Sequence, residues 1–170
     1  NNKSTREIAR AIAAGVGAIV IDSEIEIERI AAAAAAQDKI QPVRLRVNTG
    51  VHANTHDFLA TAREDQKFGI SIADAPSLVA KIRSHRHLTF LGLHSHIGSQ
   101  IHSRDGFIEA VRRLVKLHAE LSTVEEVTEL NLGGGFGVNY RPSDEALSIH
   151  EFAEALDTAE KTECERNSIA

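Results

Sequence analysis

A chain of 170 residues is long enough to enclose a full hydrophobic core. With 42% hydrophobic and 25% charged residues and a net charge of −5, it offers neither a basic surface nor an apolar run of membrane-spanning length. Nucleic acid and membrane are therefore not expected as partners, and the single cysteine, Cys164, excludes an internal disulfide and suits a reducing cytoplasm.

In chain order, Ser4 and Glu7 form a capping box, and Ile8 and Ile12 mark the apolar face of a first helix that ends at Gly15 and Gly17. Residues 18–21 are an apolar run of strand length. Ser23 and Glu26 form a second capping box ahead of Ile27, Ile30 and the alanine run 31–36, a strong helix former. Residues 43–47, "VRLRV", alternate apolar and basic side chains as a half-buried strand does. A long polar segment, 48–66, comes next, and Lys67 precedes Phe68 and Gly69. Asp74 stands as an N-cap, with Pro76 in the first turn and Leu78, Val79 and Ile82 behind it. Residues 88–96 form the next strand. Phe107, Val111, Leu114, Val115, His118 and Leu121 then give a helical stripe. A strand over 127–132 runs into Gly133, Gly134 and Gly135, and Ser148 with Glu151 caps a last helix that buries Phe152 and Leu156.

Strand centres near 19, 45, 91 and 130 are each followed by a helix, which predicts an α/β fold with a parallel sheet and outer helices. A doubly wound sheet and a (β/α)8 TIM barrel both fit. The barrel takes about 250 residues, so this chain would be part of one, about four to five βα units.

Chemistry in parallel α/β folds gathers at the C-terminal ends of the strands. Here those ends carry Asp22, then Arg46 and Asn48, then His94, His96, Gly98 and Ser99, then the glycines. The glycine run lacks the spacing of a dinucleotide fingerprint and the Gly-Lys-Ser/Thr of a nucleotide-binding loop. It leaves either a tight turn or a backbone cradle for an anion such as phosphate. His94 and His96, two apart on an extended strand, would share one face and could bind a metal, pack in the core, or lie against a planar ligand. His52 and His56 read as parts of a solvated loop.

Four stretches in this order are similar to one known family. "NNKS" at 1–4, "EDQKFGIS" at 64–71, "LHSHIGSQI" at 93–101 and "LNLGGGFGVNY" at 130–140 resemble the diaminopimelate decarboxylases. These are pyridoxal-phosphate enzymes with an alanine-racemase-like barrel. The resemblance implies pyridoxal 5'-phosphate as cofactor, meso-2,6-diaminopimelate as substrate, L-lysine as product, and a homodimeric parent protein. It places His96 on the cofactor ring, Ser99 and the N–H groups of Gly133, Gly134 and Gly135 on its phosphate, and Arg46 nearby on a barrel strand. No metal is implied. The catalytic Schiff-base lysine is expected upstream of Asn1, because Lys3 belongs to the "NNKS" motif and is not its equivalent. The family's Glu-Pro-Gly-Arg motif and C-terminal β domain are expected beyond Ala170. Residues 1–170 thus read as the central portion of a pyridoxal-phosphate-binding barrel domain, inactive by itself. Two alternatives are a metal-dependent hydrolase using His94 and His96, and a non-catalytic pyridoxal-phosphate-binding module.

Overall fold

A computed structural model of the chain describes residues 2–51, 68–141 and 147–169. His52, His56 and Lys67 lie outside the described residues. The elements are α1 (Thr5–Ala13), β1 (Ile19–Ile21), α2 (Glu24–Ala35), β2 (Gln41–Asn48), β3 (Ile70–Ser71), α3 (Ala75–Ser84), β4 (Leu88–His94), α4 (Asp105–Ser122), β5 (Glu129–Asn131) and α5 (Ile149–Arg166).

All strand pairs are parallel, and the sheet runs β1-β2-β4-β5, with the short β3 added beside the end of β2. The four longer-range strands lie side by side in chain order with no reversal. A doubly wound sheet reverses at a switch point, so this order is that of a barrel arc with helices on its outside. Strand β3 carries no hydrophobic alternation of its own, which is why periodicity does not reveal it.

Strand β2 shows how the sequence sets the two faces. Gln41, Val43, Leu45 and Val47 are buried on one side, while Pro42, Arg44, Arg46 and Asn48 stand on the other. Val43, Leu45 and Val47 of the first set join Ile8, Ile12, Ile21, Ile27, Ile30, Val79, Ile82 and Leu114 in the core between sheet and helices. The second set lies on the face that a barrel turns inward. Arg44 is held there by Glu129 on β5, with Nε donating to the carboxylate at 2.6 Å.

The capping boxes at Ser4–Glu7 and Ser148–Glu151 form as the sequence predicts. Two other caps differ. Neither half of the box forms at Ser23, the N-cap of α2: the Glu26 N–H donates to the Ser23 carbonyl at 3.0 Å, and the Glu26 carboxylate accepts from Asp22 N–H at 2.8 Å and Lys3 N–H at 3.1 Å. Asp74 is at the N-cap of α3 but does not cap it; its carboxylate accepts instead from Ser71 Oγ at 2.7 Å.

Candidate cofactor site

The register of three neighbouring strands sets Arg46, His94 and Asn131 in one row at their C-terminal ends. Asp22 follows directly on Ile21, the neighbour of Leu45, and so reaches Arg46: Nη1 donates to Oδ1 at 2.9 Å, with both side chains largely buried. The guanidinium also lies 5.4 Å from the ring centre of Phe68. Behind Asp22, the buried Glu26 pairs with the Lys3 ammonium at 2.9 Å. Burial pushes the Glu26 carboxyl up, but hydrogen bonds from Asp22 and Lys3 outweigh it and hold the group below the ordinary carboxylate value.

Strand β4 ends at His94, so the loop beyond it, not a common strand face, carries His96. The two histidines differ accordingly. His94 is half-buried in the sheet row, whereas His96 is exposed. Burial, followed by the positive charges of Arg46, His96 and Arg44, lowers His94 to about 4, against a smaller opposing pull from Asp22. Its imidazole is neutral at physiological pH. His94 Nδ1 and Ser95 Oγ are both buried without a hydrogen-bond partner among the described residues.

The glycine run packs directly against this loop. Gly133 has φ +75°, and a Cβ there would overlap the Ser95 carbonyl oxygen. Gly135 has φ +104°, and a Cβ there would overlap the Gly98 carbonyl oxygen. Only glycine allows both the conformation and the approach. Ser95 N–H donates to Asn131 O at 2.9 Å, Ile101 N–H to Gly135 O at 3.0 Å and Gly137 N–H to Ile101 O at 2.8 Å, joining the two loops along their length. Beneath them Phe136 of the glycine loop meets Phe107 of α4 and Phe152 of α5 at ring-centre distances of 4.9 Å each.

One expectation is modified. The Gly133 N–H donates to Asn131 Oδ1 at 2.9 Å, an Asx turn, so it is already engaged. Gly133 shapes the loop, while the N–H groups of Gly134 and Gly135 have no partner among the described residues. The Asn-x-Gly spacing of Asn131 and Gly133 carries the signal for this turn, and sequence reasoning passed over it.

Arg46, Asn48, Phe68, His96, Gly98 and Ser99 line a cleft of about 310 Å³ beside these loops. An exposed imidazole, an exposed hydroxyl, a cation and two unengaged N–H groups suit a flat ring bearing a phosphate. Among the described residues, no group of three or more His, Cys, Asp or Glu is arranged to hold a metal ion. Arg46 in the same row as His94 further weakens the metal-dependent hydrolase reading, since a cation there opposes a second one.

A parallel sheet in barrel order, with helices outside it and a glycine-rich loop at its strand ends, defines a fragment of an α/β barrel enzyme. Residues 1–169 match the family of the pyridoxal-dependent decarboxylase, pyridoxal binding domain; the chain belongs to that family, and its cofactor is pyridoxal phosphate. It is 43% identical over 166 residues to the diaminopimelate decarboxylase of Mycobacterium tuberculosis and 42% identical over 165 residues to that of Staphylococcus aureus. These matches take in 93% and 96% of this chain but 37% and 38% of those proteins, so the chain spans under two-fifths of their length. Among solved structures, the diaminopimelate decarboxylase of M. jannaschii in complex with L-lysine superposes with a TM-score of 0.87 at 27% identity, over 98% of this chain and 39% of that one.

Proposed function

We propose that the protein containing this chain is a diaminopimelate decarboxylase, which converts meso-2,6-diaminopimelate to L-lysine and CO2. The observation that carries the reading is the backbone contact of Gly133 and Gly135 with Ser95 and Gly98, which turns two separate motifs into one anion cradle beside an exposed histidine. The relatives matched over nearly the whole chain are named for this activity.

When bound, the cofactor supplies an electron sink for the carbanion left by departing CO2. This chain's own residues bind and orient. The Ser99 hydroxyl and the N–H groups of Gly134 and Gly135 would hold the phosphate, and His96 would pack against the ring. Arg46, fixed by Asp22, brings positive charge to the cleft. His94 stays neutral and supports the wall without adding a further charge there. In this reading residues 1–170 are the central portion of the barrel domain. The parent protein is a cytoplasmic homodimer.

The test uses the full-length protein with pyridoxal phosphate, offered meso-diaminopimelate, ornithine, arginine and lysine in turn. CO2 release with stoichiometric L-lysine from meso-diaminopimelate, preferred on the order of a hundredfold, is the expected result. Preferred turnover of ornithine or arginine would replace this substrate assignment.

A further inference from the structure

We infer that Gln100 is a positioning residue that locks the two anion-binding loops into one jaw; this rests on the cofactor reading above. Gln100 adopts φ +55°, a left-handed conformation unfavourable for a residue with a side chain. In that conformation its side-chain amide faces the tail of the glycine loop. Val138 N–H donates to Gln100 Oε1 at 3.2 Å, and Gln100 Nε2 donates to Val138 O at 3.3 Å. The side chain thus stands in for a peptide unit of a neighbouring strand.

The two bonds continue the ladder already formed by Ile101. Ile101 N–H donates to Gly135 O and Gly137 N–H to Ile101 O, and Ile101 and Phe136 pair as a parallel bridge. Four hydrogen bonds therefore join residues 100–101 to 135–138. Ser99 sits between Gly98, whose carbonyl backs onto Gly135, and Gln100, whose amide grips Val138. The separation of the Ser99 hydroxyl from the glycine N–H groups is fixed from both sides. Of these contacts, only those of Gln100 depend on a side chain that substitution can remove. Both polar groups of its amide are engaged by Val138, so Gln100 acts through the loops and not as a ligand.

The Gln100 amide is exposed, and its bonds compete with water, so their loss leaves the fold in place. Their effect appears when one phosphate must be held by both loops together. The experiment uses the full-length protein as Gln100→Ala and Gln100→Met, with Gly135→Ala beside them. Pyridoxal phosphate affinity and dissociation rate are read for each, with apoprotein Tm and kcat at saturating cofactor. Both Gln100 variants are expected to weaken cofactor binding about tenfold, mainly through faster dissociation. Apoprotein Tm should stay put, and kcat should fall by less than the affinity does. If Gln100→Met binds like the wild type while Gly135→Ala binds weakly, the Gln100 role is wrong and the cradle stands. If Gly135→Ala also folds and binds like the wild type, the cradle reading itself fails. A Tm loss in both Gln100 variants that parallels the affinity loss would overturn the positioning role in favour of a purely structural one.

Discussion

Gly135 lies with its Cα against the carbonyl oxygen of Gly98, leaving no space for even a methyl group between the two loops. Gly134, one residue earlier, faces open space, with nothing within 4 Å of an added Cβ. Adjacent glycines in one run therefore have opposite tolerances. Gly135→Ala should cost about 1–3 kcal/mol through its left-handed backbone and the overlap. Gly134→Ala should stay within about 0.5 kcal/mol of the wild type. Urea denaturation of the two apoproteins, side by side, measures both.

Glu26 joins three segments through the Asp22 N–H, the Lys3 N–H and the Lys3 ammonium. Glu26→Ala leaves that ammonium and two N–H groups without their acceptor and should cost about 3–5 kcal/mol. Glu26→Gln keeps an acceptor for one N–H and should cost less. Because the folded-state carboxyl is held below its ordinary value, its contribution is complete above about pH 4.5 and is lost as the pH falls further. Denaturation midpoints of wild type and Glu26→Gln should differ at neutral pH and converge at acidic pH.

His94 gives a pH dependence at higher pH. Its ordinary value of 6.5 is lowered to about 4 in the fold, so between these limits the unfolded chain binds a proton that the folded chain does not. Stability should fall as the pH drops from about 6.5 to about 4 and then level off for this group. His118, lowered by burial, adds in the same direction. Two-dimensional NMR titration should show the His94 ring neutral until about pH 4, and His94→Gln should flatten part of the stability slope.

The aromatic cluster ties the cradle to the outer helices. Phe152 is buried and meets Phe107 edge-on, with rings 5.6 Å apart at 77°. Phe152→Ala should cost about 3–5 kcal/mol, and Phe152→Leu clearly less. Since Phe136 belongs to the glycine loop, the alanine variant should also bind pyridoxal phosphate more weakly, which a fluorescence titration would register.

The parts of the fold that alternate or repeat were legible in the sequence. β2, the stripe of α4 and two of the three capping boxes follow from local periodicity and pairing of side chains. The failures lie where a distant residue competes for a local one. Glu26 fits a capping box with Ser23 until Lys3, 23 residues away, claims its carboxylate. The strand β3 exists only because Val47 and Asn48 of β2 offer Ile70 and Ser71 a partner. For the site, residue types at the strand ends offered a histidine, Ser99 and the glycines, and the family resemblance singled out His96 and added Arg46. That Gly133 gives up its N–H to Asn131, and that Gln100 grips Val138, depends on loop geometry that no periodicity encodes.

The division of labour between ring and phosphate is open to one direct measurement. Affinities of the full-length protein for pyridoxal phosphate and for pyridoxal, which lacks the phosphate, can be compared in the wild type, Ser99→Ala and His96→Ala. Ser99→Ala should weaken pyridoxal phosphate about tenfold and leave pyridoxal unchanged, while His96→Ala should weaken both by similar factors. Equal losses for the two ligands in Ser99→Ala, or no loss in either variant, would contradict the account.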